Sequence, residues 1–89
     1  LYPGLATHPD HAIAKRQMKH FGTIVTFDLD CSEEEMRSWM DSLTLFTPAF
    51  GAGFVRSLVA PAELFYTRGF GEPVDERWRL NKTSVRISA

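Results

Sequence analysis

Eighty-nine residues, 44% hydrophobic, 12% aromatic and 24% charged, have the composition of one small folded domain and not of a disordered tail. The net charge is −1 and the basic residues are scattered from Lys15 to Arg86, so no basic stripe exists to track phosphates, which argues against nucleic acid as a partner. No apolar run approaches the roughly 20 residues that span a bilayer, and the single Cys31 can close no internal disulfide, so the expectation is a reduced, cytoplasmic setting and no membrane.

Thr7-His8-Pro9-Asp10 predicts a helix start, with a hydroxyl cap, a proline in the first turn and an acid near the positive end of the dipole; the helix would run to Lys19. From Phe21 to Asp30 the pattern alternates. Phe21, Val25, Phe27 and Leu29 share one face and Ile24, Thr26, Asp28 and Asp30 the other, which predicts a half-buried strand. Ser32 then caps a second helix. Its first turn is Glu33, Glu34 and Glu35, and Met36, Trp39, Met40 and Leu43 fall at helical spacing on one face.

Leu43 to Thr47 and Phe54 to Val59 read as two further strands. Between them lie Pro48 and Gly51-Ala52-Gly53, which give the backbone freedom to turn or to approach a ligand. Pro61 to Tyr66 suits a helical turn. Arg68 to Lys82, with Gly69, Gly71 and Pro73, reads as loop anchored by Trp78. Ser84 to Ala89 alternates again, with Val85 and Ile87 on one face and Ser84, Arg86 and Ser88 on the other. The order of elements predicts an α+β fold, an α/β sandwich in which a small, mainly antiparallel sheet has helices packed on one face. The chain opens at Leu1 without an initiating methionine and stops at Ala89 inside a strand-like run, so both ends are expected to be cuts from a longer protein.

Few residues point to chemistry. His8 and His11 are three apart, but two imidazoles without a third ligand make a poor metal site, and no metal is expected. The three glutamates of the second helix are explained by the helix dipole alone. Met36, Trp39 and Met40 form a core stripe, and Cys31 has no general base beside it. The Gly51-Ala52-Gly53 turn lacks the helix start and lysine of a phosphate loop. Arg86 is the better candidate. It lies inside an alternating strand opposite Val85 and Ile87, and a guanidinium fork can bind a carboxylate at two points and fix the plane of an amino acid.

Tyr2-Pro3-Gly4-Leu5 with His8-Pro9, Ala14-Lys15-Arg16-Gln17-Met18 and Phe21-Gly22 resemble the opening of the C-terminal domain of the Cys/Met-metabolism pyridoxal-phosphate enzymes, the cystathionine β-lyase, γ-synthase and γ-lyase family. Leu45-Phe46-Thr47, the glycine turn with Ser57-Leu58, and Val85-Arg86-Ile87-Ser88 resemble its later blocks, so the resemblance covers essentially the whole chain. It implies that residues 1–89 are a single C-terminal domain of a larger enzyme. That enzyme would use pyridoxal phosphate as an electron sink to break or form a carbon–sulfur bond on cystathionine or a related sulfur amino acid. By position, Arg86 would hold the substrate α-carboxylate, and Gly51 and Ala52 would line the substrate-facing turn.

The resemblance also implies that the cofactor lysine lies in a missing cofactor domain, that the fragment alone is inactive, and that the parent is a homo-oligomer, a tetramer. The turn departs from the family pattern: Gly51 stands for the usual serine, Phe54 for the second glycine and Arg56 for a glutamate. Phe50 and Ser57-Leu58 lean toward the cystathionine β-lyase branch. The alternative reading is a non-catalytic binding or oligomer-contact domain of a diverged paralogue.

Overall fold

The strongest local signal in the sequence produces the best-defined element. The computed structural model describes residues 1–64 and 79–89, and in it helix α2 spans Glu33–Ser42. Ser32 Oγ accepts from the Glu35 backbone N–H (3.2 Å), while the Ser32 N–H and hydroxyl both donate to Glu35 Oε2 (2.8 Å each). This is a capping box, which satisfies N–H groups that the first helical turn leaves without partners. Losing the cap through Ser32→Ala is expected to cost about 1 kcal/mol.

The Ser32 backbone N–H, and after it the Ser32 hydroxyl, hold the Glu35 carboxyl below its ordinary value. A lowered folded-state value means that the stabilisation is complete above the ordinary glutamate range and is lost as pH falls through the folded-state value. The melting-temperature advantage of wild type over Glu35→Gln should therefore be largest at neutral pH and shrink on acidification. Parallel melting curves across that range would show that the cap does not depend on the charge.

Four strands form one sheet: β1 (Ile24–Asp28), β2 (Thr47–Pro48), β3 (Leu58–Pro61) and β4 (Ser84–Ser88), in the order β1-β4-β3-β2. β4 is antiparallel to both neighbours. It sets Arg86 opposite Thr26 on one side and Ala60 on the other, and Val85 opposite Phe27 and Pro61. Alternation along β4 therefore sorts the sheet into two faces. Val85 and Val59 meet Met36 and Met40 of α2 in the core, with Phe27, Leu29, Cys31, Leu43, Phe46 and Ile87 around them. Trp39 is about a third exposed and meets Phe27 edge to face, with centroids 6.2 Å apart. The predicted sheet of β1 and β4 under the Met36, Trp39, Met40 and Leu43 face is borne out.

Several boundaries differ from the sequence reading. The first helix, α1, covers only His11–Gln17, with Asp10 before it and no side-chain cap. Pro9 disfavours helical backbone at the residue before it, and the preceding segment closes instead through turns from His8 N to Leu5 O (2.9 Å) and from His11 N to His8 O (3.0 Å). The Phe21–Asp30 strand begins at Ile24, because Gly22 takes a φ of +84° that ends extended pairing. Of the strand expected over Leu43–Thr47 only Thr47 belongs to β2, and Leu43 instead follows α2 into the core.

The strand expected over Phe54–Val59 is shifted to Leu58–Pro61. β2 pairs parallel to β3, a pairing that alternation cannot announce, and as an edge strand it accommodates Pro48, which has no N–H to donate. Ala62, Glu63 and Leu64 follow β3 as a turn and the start of a helix. The rest of the helical turn expected to Tyr66, most of the Arg68–Lys82 loop and its anchor Trp78 lie outside the described residues.

Candidate functional site

On the sheet face away from α2, β4 presents Ser84, Arg86 and Ser88. The two serines are nearly fully buried, and Arg86 is half-buried between them. Ser84 Oγ donates to Asp28 Oδ1 across the β1–β4 pair, which uses the hydroxyl locally and leaves the guanidinium as the cationic group of this strand.

Arg86 reaches the glycine turn. Its Nη1 donates to the Gly51 carbonyl oxygen at 3.0 Å, a contact between residues 35 apart in sequence. The turn is fixed at its base by β2 and β3, through Thr47 N to Ser57 O (2.8 Å) and Ala49 N to Val59 O (3.1 Å). Within it Gly51 has φ +151° and Gly53 has φ +74°, a conformation that side chains with a Cβ rarely adopt. Two of the three residues expected to face substrate, Arg86 and Gly51, are thus in direct contact. Ala52 lies beside Gly51 on the turn with its methyl exposed.

In the sequence, Phe54 stands out only as a departure from the pattern that the resemblance implies. The structure places its ring over Gly51: a Cβ built on Gly51 would lie 2.5 Å from Phe54 Cε2 and 2.8 Å from Cδ2. The available signal was that both positions, 51 and 54, depart from the pattern that the resemblance implies.

The other sequence candidates have local roles. His11 Nδ1 donates to the Pro3 carbonyl (2.8 Å) and its ring stacks on Phe21. His8 Nδ1 accepts from the Asp10 N–H (3.1 Å), and His20 is exposed. Pyridoxal phosphate needs a lysine held in a protected site and donors gathered on its phosphate. The three lysines of this chain do not fit that need. Lys15, Lys19 and Lys82 are exposed, and Lys82 makes a surface ion pair with Glu33 (3.4 Å).

Comparison with known proteins gives the same outline. Residues 1–89 match the family model described as Cys/Met metabolism PLP-dependent enzyme. The chain is 43% identical to a cystathionine beta-lyase of Coxiella burnetii over 98% of its length and 22% of that protein. It is 37% identical to a cystathionine gamma-lyase of Dictyostelium discoideum over 99% of its length and 23% of that protein. Among solved structures, cystathionine gamma synthase from Xanthomonas oryzae pv. oryzae in complex with cystathionine superposes with a TM-score of 0.80 at 37% identity, covering 98% of this chain and 22% of that one. The chain therefore spans about a fifth to a quarter of the length of these relatives, and relatives named for three different activities match it to similar extents. With the family model matched over residues 1–89 and relatives 37–43% identical across nearly all of its length, the chain belongs to the Cys/Met metabolism PLP-dependent enzyme family.

Proposed function

We propose that this chain is the substrate-side C-terminal domain of a pyridoxal-phosphate-dependent lyase or transferase that acts on a carbon–sulfur bond of cystathionine or a related sulfur amino acid. The observation that carries the reading is the Arg86–Gly51 contact, 3.0 Å long. It joins the two blocks that the family resemblance assigns to substrate and sets a planar cation, half-buried in a sheet, against the backbone of a glycine turn. A guanidinium presents its N–H donors in a rigid planar fork that matches the two oxygens of a carboxylate. The role of Arg86 is to bind and orient: a two-point contact fixes the carboxylate plane and hence which bond at the α-carbon faces the cofactor.

The cofactor's own site is assigned to residues outside this chain, since its lysines are exposed, and the fragment alone is inactive on this reading. The parent is proposed to be a cytoplasmic homo-tetramer. Support comes from the free Cys31 and from the exposed apolar Leu45 and Val55, which are suited to cover by further chain or another subunit.

The test is to express the full-length protein that contains this chain, reduce it with borohydride and map the modified peptide. Pyridoxyl-lysine should appear outside residues 1–89, in a protein that releases thiol or joins cysteine to a homoserine ester. Specific labelling of Lys15, Lys19 or Lys82 would overturn the assignment. A full-length protein without cofactor or turnover would favour the diverged, non-catalytic paralogue, a reading kept in view by the changed residues Gly51, Phe54 and Arg56.

A further inference from the structure

We propose that Phe54 is a positioning residue for Arg86: its ring occupies the volume of the absent side chain at position 51 and holds the Gly51 carbonyl against the guanidinium. The proposal rests on the reading of Arg86 as the carboxylate anchor and goes beyond it by naming what sets the anchor.

Three observations carry it. A Cβ at position 51 would meet Phe54 Cε2 at 2.5 Å, Phe54 Cδ2 at 2.8 Å and Leu58 Cδ1 at 3.4 Å, so a side chain at 51 and the ring of residue 54 compete for one space. Gly53 turns with φ +74°, and among the described residues nothing lies within 4 Å of its Cβ position. That glycine is required by conformation and not by crowding, and its reversal brings residue 54 back over residue 51. Finally, the carbonyl of the covered residue accepts from Arg86 Nη1 at 3.0 Å. Phe54 is 67% exposed, so its ring lies on the turn and is not part of the core. Its removal should leave the fold intact and act on the turn.

Physically, the two departures that the resemblance implies at positions 51 and 54 are then one change. With glycine at 51 and no ring at 54, the carbonyl loses its support and can swing away from Arg86. With serine at 51 and phenylalanine at 54, the side chain and the ring cannot both keep their places. With serine at 51 and glycine at 54, the clash with the ring is gone and only the backbone strain of a side chain at φ +151° is left.

The experiment compares wild-type full-length protein with Phe54→Gly, Phe54→Tyr, Gly51→Ser, Gly51→Ser/Phe54→Gly and Arg86→Lys. Readouts are KM and kcat on cystathionine, calorimetric affinity for norleucine as an amino acid that cannot be cleaved, and thermal melts. Phe54→Gly should weaken norleucine and raise KM by about fivefold or more while kcat stays within about twofold, since ground-state and transition-state binding are lost together. Phe54→Tyr keeps the ring and should behave as wild type. The double variant should bind norleucine at least about fivefold better than the two single losses multiplied together would give, the signature of coupled neighbours.

Additive losses, or a Phe54→Gly protein that melts and binds norleucine as wild type while Arg86→Lys binds it at least about tenfold more weakly, would overturn the proposal and leave the Arg86 reading intact. Unchanged norleucine affinity in Arg86→Lys would remove that reading and this proposal with it.

Discussion

If the proposed function holds, replacing Arg86 by lysine in the full-length protein is expected to lower kcat/KM on cystathionine at least about tenfold. Lysine keeps the positive charge but replaces a planar fork with a single ammonium point, so the two-point grip on a carboxylate is lost. Charge-assisted contacts of this kind are worth on the order of 1.5 to 3 kcal/mol, and about 1.4 kcal/mol corresponds to a factor of ten. The same substitution disturbs the bond from Nη1 to the Gly51 carbonyl, so turn and anchor fail together.

Stability should suffer less. Arg86 is half-buried and flanked by Ser84 and Ser88, the aliphatic stem of lysine fills much of the same space, and one exchanged hydrogen bond is worth about 1 kcal/mol. Steady-state kinetics and thermal melts of the two proteins check both halves. Unchanged efficiency on a good substrate would reduce Arg86 to a strand residue that tethers a loop.

The parts of the fold that were legible in the sequence are those whose signal is local and repetitive. Ser32 followed by Glu35 gave the start of α2, and the 3.6-residue spacing of Met36, Met40 and Leu43 gave its buried face. Two-residue alternation gave both the existence of β4 and the face on which Arg86 lies. The signals that failed depend on competition between neighbours or on distant partners. Thr7 looks like a cap in isolation, but Pro9 displaces the helix start to His11. Leu43 carries both an apolar helical position and a strand-like neighbourhood, and the core of α2 claims it. The parallel register of Thr47 on Leu58 leaves no mark in either segment. At the site, the resemblance named Arg86 and Gly51, yet nothing along the chain says that they touch, or that Phe54 fills the space above Gly51. That contact exists only after β3 and β4 have paired.

Substitution of Met36 by alanine is expected to be the most destabilising single change in α2. Met36 has no exposed surface and lies between Val59 and Val85 at the centre of the core. Removing its side chain forfeits transfer energy and leaves a cavity that the helix and sheet can only partly close, a cost of about 2 to 5 kcal/mol for a buried methionine. That is a large share of the roughly 5 to 15 kcal/mol by which an ordinary domain is stable, and a domain this small has little reserve. Leu45 is the control. It is equally apolar but 83% exposed, so Leu45→Ser should change stability by no more than about 0.5 kcal/mol. Urea midpoints of the 89-residue chain, taken as free energies only where the two variants share one denaturant slope, separate the cases. If Met36→Ala unfolds the chain outright, the milder Met36→Leu keeps the comparison alive, because a volume-conserving swap should cost less than about 1.5 kcal/mol. A Met36→Ala chain as stable as wild type, or a Leu45→Ser chain equally damaged, would mean that α2 does not close the core on β3 and β4.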